Sequence, residues 1–247
     1  MLEGKAPAKI NLCLHVGPRR QDGYHPVCSL MEKIDLFDCL KAERAAEGIS
    51  VRGSEADVSD GGGANLGAGI AGRGASIPLE ENTVYRAVRA LEAETGQQLP
   101  VAFELGKEIP VAAGLGGGSS DGAAALRMVA SLYGLELEHG RLLELAAGIG
   151  ADVPFFMVPG PQLARGAGES LTAVEIGFEY SLVLVAPAVP VAAAEVYRLY
   201  DEVCPPKAGA FEEESQRLLE SIEGLDSPRA LAGILHNDLE TVAAKLC

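Results

Sequence analysis

The sequence predicts an α+β fold, and three observations on the order of its elements predict this class. Apolar and polar residues alternate over residues 9–16, which is the period of a β-strand. Apolar residues recur at helical spacing from Asn82, and a glycine-rich turn then separates another alternating stretch from another helical one. Strands and helices therefore follow each other in mixed order, which is typical of α+β proteins.

The first strand, residues 9–16, is predicted to be half-buried, with apolar side chains on one face and polar ones on the other. Lys9 and Asn11 lie side by side on the polar face. This face is either solvated or the floor of a site, and the strand alone leaves both interpretations open. Asp22 and Gly23 then form a strong turn signal before a second alternating stretch at residues 34–40.

The middle and the end of the chain predict several helices and two more strands. Asn82 caps a helix that Gly96 ends. A strand follows at residues 101–105, and the helix after the glycine-rich turn has an apolar face of Ala125, Met128, Val129 and Leu132. The remaining predicted elements are a helix at 139–147, which residues 148–156 break, a buried strand at 181–186, and helices at 210–223 and 228–245.

Composition and proline placement predict an insertion and a domain boundary. Residues 52–78 are rich in glycine and alanine with little to pack, so we expect a mobile loop or an insertion there. Pro159 and Pro161 interrupt the pattern of strands and helices. We therefore expect two domains, residues 1–160 and residues 161–247.

The composition also narrows the class of protein. Lys and Arg total 20 against 35 Asp and Glu, and the resulting charge of −15 repels nucleic-acid phosphates, so no nucleic-acid partner is expected. The N-terminus has no apolar signal core, and no apolar run is long enough to span a membrane, so a cytoplasmic protein is expected. The 5 cysteines form no C-x-x-C pair, which argues against a cysteine zinc site or a disulfide framework.

The glycine-rich turn at residues 110–120, called the glycine loop below, is the most informative segment. Glycines let a backbone approach a ligand closely, and the N–H groups at the start of the following helix point at that ligand. The loop lacks the lysine of a Walker A sequence, and the landmarks of protein kinases are missing. A turn without a ligand is the alternative, but the preceding strand and the two serines favour a phosphate site. The predicted phosphate-binding residues are Pro110, Val111, Ala112, Ala113, Gly114, Leu115, Gly116, Gly117, Gly118, Ser119 and Ser120.

Phosphoryl transfer also needs a cation near the transferred group and a carboxylate near the attacking hydroxyl. Lys9 and Lys107 are the candidate cations. Asp152 is flanked by small and apolar residues and is the candidate base, with a helix cap or a structural salt bridge as its alternative role. Tyr24 and His25 are candidates for stacking on a planar group of the substrate. The sequence thus predicts a small-molecule kinase that moves the γ-phosphoryl group of ATP onto an alcohol.

Several stretches of the chain resemble the motifs of the GHMP small-molecule kinases, in the order of that family. They are residues 8–12, 22–25, 110–120 and 150–156, with weaker matches at 81–87 and 164–169. The glycine loop alone indicates only the superfamily. Residues 22–25 and 150–156 resemble the motifs of one branch of this family. Its members phosphorylate the 2-hydroxyl of a cytidine-diphosphate-linked methylerythritol in non-mevalonate isoprenoid synthesis.

The resemblance implies a fold, two cofactors and a role for each candidate residue. The fold would join an N-terminal domain like the second domain of ribosomal protein S5 to a ferredoxin-like C-terminal domain. The reaction would use ATP and Mg2+, with no metal ligand assigned, and a cytidine diphosphate derivative as substrate. The implied roles are a catalytic pair of Lys9 and Asp152, a phosphate cradle at 110–120, nucleotide contacts from Lys107 and Asn82, and substrate contacts from Asn11, Tyr24 and His25.

The chain departs from the family pattern in three ways. The Gly/Ser loop expected near the C-terminus has no counterpart, so we expect a truncated C-terminal domain. Residues 190–194 lack the Ser or Thr that the family usually offers, and the stretch 52–78 is longer than usual. Two alternatives stay open: another GHMP kinase acting on homoserine, mevalonate or a sugar, and a catalytically silent protein that binds nucleotide.

Overall fold

The structure is a computed structural model. It describes residues 1–53, 58–59, 79–185, 191–203 and 209–246. Its strands are β1 (Leu2–Val16), β2 (Val27–Arg44), β3 (Ile49–Gly53), β4 (Val58–Ser59), β5 (Val101–Gly106), β6 (Gln162–Gly166), β7 (Ser170–Ala173) and β8 (His236–Asn237). Its helices are α1 (Thr83–Thr95), α2 (Gly117–Tyr133), α3 (His139–Ile149), α4 (Val153–Met157), α5 (Ala193–Val203), α6 (Ala210–Glu223), α7 (Pro228–Ile234) and α8 (Glu240–Leu246). The predicted α+β class is confirmed.

Contacts between residues divide the chain into two compact units. The first unit consists of Met1–Ala8, Ile34–Val111 and Leu115–Val158. The second consists of Lys9–Lys33, Ala112–Gly114 and Pro159–Cys247. The division into domains at residue 160 stays a prediction.

The first unit packs a group of helices on a mixed sheet. Its strands follow the order β4-β3-β5-β2, with β3 parallel to β5 and β5 antiparallel to β2. Helices α1 and α2 pack together closely because Gly122 on α2 has no side chain: a Cβ there would lie 3.0 Å from the Cβ of Thr83. Helix α3 packs against α1, and α4 packs against α2 and α3. The core is mainly aliphatic, with Leu91, Phe103 and Leu126 fully buried.

Helix α1 has the bounds that its sequence predicts. The side chain of Asn82 accepts hydrogen bonds from the N–H groups of Val84 at 2.9 Å and Tyr85 at 3.4 Å, which caps the helix. Gly96 ends it in the left-handed region, with φ 67°. The predicted strand at 101–105 and the predicted helix after the glycine loop are confirmed as β5 and α2.

The second unit is organised around the end of β1 and the start of β2. The end of β1 pairs in parallel with β8, and the start of β2 pairs antiparallel with β6, which forms a hairpin with β7. Leu218 of α6 and Leu231 of α7 share a core with Leu12 of β1. Val196 of α5 and Val242 of α8 share another core with the next residues of β1.

Over residues 9–16, β1 is buried or partly buried on both faces, so the prediction of a half-buried strand with a polar, solvated face is wrong. Cys13 and Lys9, both on the predicted polar face, are only 1% and 7% exposed. Cys13 belongs to the core under α6 and α7, whereas Leu14 belongs to the core under α5 and α8. A strand covered on both faces keeps no solvated side, whatever its sequence alternation.

Residues 181–185 form no strand, so the predicted buried strand at 181–186 is wrong over this range. Val183 and Val185 are 91% and 81% exposed. An apolar run becomes a buried strand only where neighbouring strands take up its backbone hydrogen bonds. Among the described strands none pairs with residues 181–185, and Ala186 lies outside the described residues.

The predicted helix at 228–245 is two helices, α7 and α8, with β8 between them. Leu235 takes an extended conformation, and Leu14 of β1 pairs in register with Asn237 of β8. The Asn237 side chain then accepts the N–H of Leu239 at 3.0 Å, which starts the next helix. Strand pairing therefore overrides the helical pattern at this point. The predicted helix at 210–223 is confirmed as α6.

Three further differences concern the remaining segments. Helix α3 continues through the predicted break to Ile149, and the sequence did not predict α4 or α5. Within the predicted loop 52–78, residues 52–53 end β3 and residues 58–59 form β4, while the other residues up to 78 lie outside the described ones. No helix in the described part of the chain has the length and apolar character needed to cross a membrane.

Candidate active site

The glycine loop leads from β5 into α2 through an unusual backbone path. Ala112, Gly114 and Gly116 have φ values of 55°, 74° and 70°, a region that glycine enters at little cost and alanine does not. Gly116 occupies the N-cap position of α2, where no side chain caps the helix. The first N–H groups of α2 therefore have no partner within the helix, and no acidic side chain stands in its first turn. Such a helix start attracts an anion.

Close packing fixes the start of α2. A Cβ at Gly117 would lie 3.0 Å from Cγ2 of Ile109 and 3.3 Å from Oδ2 of Asp38, so only glycine fits there without a shift of its neighbours. The hydroxyl of Thr83 donates to the carbonyl oxygen of Gly118. The helix start is thus held from both sides by side chains of the same unit.

Two carboxylates and an ammonium form a buried cluster behind the glycine loop. Lys107 donates to Oδ2 of Asp38 and, at 2.8 Å, to Oδ2 of Asp121. Asp38 is fully buried, and its Oδ1 also accepts the backbone N–H groups of Glu108 at 2.7 Å and Ile109 at 2.9 Å. Asp38 therefore fixes the three residues that precede Pro110, where the glycine loop begins.

Burial and the charges of neighbouring groups shift the pKa values of Asp121 and Lys107. Burial raises the pKa of Asp121 to about 7, the nearby charge of Asp38 adds to the effect, and the ammonium of Lys107 opposes it. Burial alone would lower the pKa of Lys107, but the two carboxylates outweigh it and raise that pKa. The charge of Lys107 is already matched by its carboxylates, so the attraction of the loop for anions comes mainly from backbone N–H groups.

Two buried polar atoms next to the loop lack a hydrogen-bond partner. They are the hydroxyl oxygen of Ser120 and Oδ1 of Asp121. Ser120 is fully buried and lies in the first turn of α2, three residues after its first residue, Gly117. Buried polar groups are normally paired, so an unpaired hydroxyl at an anion-attracting helix start fits a bound oxygen-rich ligand.

Asp152 lies in the first unit and occupies the N-cap position of α4, but its side chain makes no capping hydrogen bond. The capping role that sequence left open for Asp152 is therefore not supported. Helix α4 is buried along its whole length, and Arg127 donates to the carbonyl oxygen of Phe156 at 2.7 Å. These contacts give Asp152 a rigid support.

Lys9 and Asn11 lie together in the second unit, as their strand positions predict. The ammonium of Lys9 donates to Oδ1 of Asn11 at 3.1 Å. Lys9 is 7% exposed although it is a lysine, and such residues are almost never this buried without a partner. The structure therefore rules out a solvated strand face for Lys9.

Tyr24 and His25, also in the second unit, have very different surroundings. The side chain of Asp22 accepts the N–H of Tyr24 at 3.0 Å, which forms the predicted turn, and Tyr24 is 60% exposed. His25 is buried rather than a surface residue: its Nδ1 donates to the carbonyl oxygen of Gly17 at 2.9 Å, and its ring stacks on Tyr197 at 5.3 Å between centroids. Tyr24 is thus the accessible member of the pair.

The structure distributes the predicted site residues over both units. The first unit holds Asn82, Lys107, Asp152 and most of the glycine loop, whereas the second holds Lys9, Asn11, Tyr24, His25 and residues 112–114. Sequence reasoning missed Asp38 and Asp121. Their positions carried a signal, since Asp38 lies on the same face of β2 as the buried Leu40 and Asp121 lies four residues before the buried Ala125 on α2. A carboxylate in an apolar pattern indicates a buried partner.

Comparisons with known proteins agree with this geometry. The sequence profile described as GHMP kinases N terminal domain matches residues 82–160, which contain the glycine loop and Asp152. A 4-diphosphocytidyl-2-C-methyl-D-erythritol kinase from Bacillus pumilus is 39% identical over 244 residues, which cover 98% of this chain and 76% of that protein. The chain belongs to the 4-diphosphocytidyl-2-C-methyl-D-erythritol kinase family.

Other relatives are matched over a smaller part of their length, and some proteins of similar structure have low sequence identity. A 4-diphosphocytidyl-2-C-methyl-D-erythritol kinase from Clostridium kluyveri is 39% identical over 198 residues, and the match covers 80% of this chain but only 64% of that protein. A crystal structure of a 4-(cytidine 5'-diphospho)-2C-methyl-D-erythritol kinase has a TM-score of 0.63 and 31% identity, covering 99% of this chain and 78% of that one. A homoserine kinase from Cytophaga hutchinsonii also has a TM-score of 0.63, over 99% of this chain and 75% of that one, but at 15% identity it shows the GHMP kinase fold alone.

Proposed function

We propose that the chain transfers the γ-phosphoryl group of ATP to the 2-hydroxyl of 4-diphosphocytidyl-2-C-methyl-D-erythritol. The observation that carries the proposal is the uncapped start of α2, which is held by packing and has no acidic residue in its first turn, in a protein whose net charge is −15. An acidic protein binds a polyanion only where its local field is reversed, and this helix start is such a place. Membership of the family supports the choice of acceptor.

The glycine loop is the proposed cradle for the ATP phosphates. The N–H groups of Gly117, Gly118 and Ser119 are the donors available at the start of α2. The unpaired hydroxyl of Ser120 fits a hard cation such as Mg2+, which prefers oxygen ligands. Bound Mg2+ supplies neutralisation of phosphate charge. Asn82 and Lys107 are proposed to lie near the nucleotide.

Lys9 and Asp152 are the proposed catalytic residues. Asp152 would accept the proton of the substrate hydroxyl as the new P–O bond forms and the bond to the ADP oxygen breaks. Lys9 would stabilise the negative charge that develops on the transferred phosphoryl group. Asp152 makes no capping hydrogen bond, which argues against a helix-cap role, and the low exposure of Lys9 argues against a merely solvated lysine.

Asn11, Tyr24 and His25 are the proposed contacts to the cytidine diphosphate part of the substrate. Tyr24 is exposed enough to stack on a pyrimidine ring, and His25 is held in place by its own hydrogen bond to Gly17. We also propose a cytoplasmic location without a nucleic-acid partner, on the grounds of composition.

The proposal is tested by offering the purified chain ATP and Mg2+ with three acceptors in parallel. The acceptors are 4-diphosphocytidyl-2-C-methyl-D-erythritol, homoserine and mevalonate, and release of ADP is measured. We expect ADP release with the cytidine compound and background release with the other two. Turnover of homoserine or mevalonate instead would contradict the acceptor. Binding of ATP without turnover of any acceptor would contradict the proposed transfer.

A further inference from the structure

Four ionisable side chains of the second unit converge where β1 ends beside β8. Oε2 of Glu214 lies 3.4 Å from Nδ1 of His15, and Oδ2 of Asp238 lies 3.9 Å from the same nitrogen. Nε2 of His236 lies 2.7 Å from Oδ1 of Asp238. The two imidazole rings stack, with centroids 5.0 Å apart. The group combines two imidazoles with two carboxylates.

Several separate elements hold these side chains. The register of the parallel pair puts Cys13 of β1 opposite His236 of β8, so His15 follows on the same face two residues later. The backbone N–H of Val16 donates to Oδ2 of Asp238 at 2.7 Å, which orients that carboxylate. Glu214 reaches the group from α6. The arrangement therefore depends on the fold of the second unit, not on adjacent residues of one loop.

The four side chains differ in solvent exposure: some are mostly buried, and others are open to solvent. The side chain of His15 is 12% exposed, and its buried Nδ1 has no hydrogen-bond partner. Its other ring nitrogen, Nε2, lies 3.4 Å from Sγ of Cys13. The side chains of Glu214 and His236 are 40% and 50% exposed, so they leave the group accessible from solvent.

We propose that His15, Glu214, His236 and Asp238 form a binding site for one Zn2+ ion. Zn2+ takes imidazole nitrogens and carboxylate oxygens at about 2.0–2.2 Å, which puts tetrahedral ligand atoms about 3.4 Å from one another. Nδ1 of His15 lies 3.4 Å from Oε2 of Glu214 and 3.9 Å from Oδ2 of Asp238, close to this separation. Nε2 of His236 would exchange its 2.7 Å hydrogen bond to Oδ1 of Asp238 for the metal ion. One nitrogen or oxygen atom from each of His15, His236 and Asp238 lies within 4.8 Å of the other two.

The chemistry of the ligands selects the class of metal. Imidazole and carboxylate together suit Zn2+ better than Mg2+, which prefers oxygen ligands alone. Two carboxylates balance the charge of the ion, and the N–H of Val16 on Asp238 is the kind of outer hydrogen bond that orients metal ligands. The bound ion would link β1 to α6 and β8, which lie far from β1 in the chain.

The experiment measures Zn2+ binding to the metal-stripped chain by calorimetry, without nucleotide. We expect one ion per chain and a higher melting temperature with Zn2+. His236→Ala and Glu214→Gln change half-exposed side chains, and each should weaken binding at least about tenfold and remove most of the thermal shift. His139→Ala changes an exposed histidine of α3 in the other unit and should bind like the unchanged chain.

Cobalt(II) substitution separates this site from adventitious binding by cysteines. The expected spectrum has the visible bands of tetrahedral cobalt without the near-ultraviolet charge-transfer band of a thiolate ligand. The proposal is overturned if the metal-stripped chain binds no Zn2+, if His236→Ala and Glu214→Gln bind as the unchanged chain does, or if the thiolate band accompanies the bound ion.

Discussion

Asp38 and Lys107 form a buried ion pair immediately before the glycine loop. The carboxylate of Asp38 also accepts the backbone N–H groups of Glu108 and Ile109, so one side chain fixes the segment that leads into the glycine loop. This pair belongs to the first unit and connects β2 with the end of β5. Its role is to position the loop, because Asp38 is buried and both of its carboxylate oxygens already accept hydrogen bonds from Lys107 or from the backbone just before the loop.

Removing the charge of Asp38 should destabilise the protein and weaken ATP binding. Asp38→Asn leaves Lys107 buried with one partner fewer, which we expect to lower the free energy of unfolding by about 3 kcal/mol. Urea unfolding measures this loss, and calorimetry measures the ATP affinity. Asp35→Asn, an exposed change on the same strand, should stay within about 0.5 kcal/mol. Equal effects of the two substitutions would contradict the positioning role.

Asp121 should make stability depend on pH in an identifiable window. Its pKa is raised from 3.8 to about 7, so the folded state binds its proton more tightly than the unfolded state. The stabilisation is complete below about pH 4 and is lost as the pH rises to about 7. The free energy of unfolding of the unchanged chain should therefore fall over this window relative to that of Asp121→Asn. A difference that stays constant with pH would show that the carboxyl group titrates normally.

Gly116 should tolerate no side chain, because its φ of 70° lies in the left-handed region at the start of α2. Gly116→Val forces a β-branched residue into that conformation and puts a Cβ where the phosphates are proposed to lie. We expect ATP affinity to fall about tenfold or more, which corresponds to about 1.4 kcal/mol. Gly140→Val is the matched control, since a Cβ there meets nothing within 4 Å. Unchanged ATP affinity in Gly116→Val would remove the loop from the proposed site.

Asp152→Asn should separate catalysis from binding. An amide cannot accept the substrate proton, so we expect kcat to fall about 100-fold to 10,000-fold while the dissociation constant for ATP stays the same. Glu138→Gln changes an exposed carboxylate at the start of α3 and should leave both quantities unchanged. A normal kcat in Asp152→Asn would show that Asp152 is not the general base.

The elements that sequence predicted well are those whose ends are fixed locally. Asn82 and Gly96 set the bounds of α1 through a side-chain cap and a left-handed backbone, and both features can be read from neighbouring residues. The glycine loop is similar, because its strand, glycines and helix are consecutive. The candidate site residues in these segments could therefore be predicted without information on contacts between distant parts of the chain.

The elements that sequence missed depend on partners far along the chain. Residues 181–185 have the apolar pattern of a buried strand but lack a pairing strand among the described residues. Helix α7 ends before His236 because β8 pairs with β1, more than two hundred residues earlier. Asp38 and Asp121 meet Lys107 only through tertiary packing. No local pattern predicts such contacts. The carboxylates of Asp38 and Asp121 nevertheless stand among apolar positions of the sequence, and this indicates that each has a buried partner.

The central claim is that the chain phosphorylates one particular hydroxyl, and the position of the new phosphate tests it most directly. The chain is incubated with ATP, Mg2+ and 4-diphosphocytidyl-2-C-methyl-D-erythritol, and the product is examined by carbon and phosphorus NMR. We expect a new phosphorus coupling to carbon 2 of the methylerythritol part, which is absent with Asp152→Asn. Coupling to another carbon, or an unchanged substrate in the presence of a folded chain that binds ATP, would contradict it.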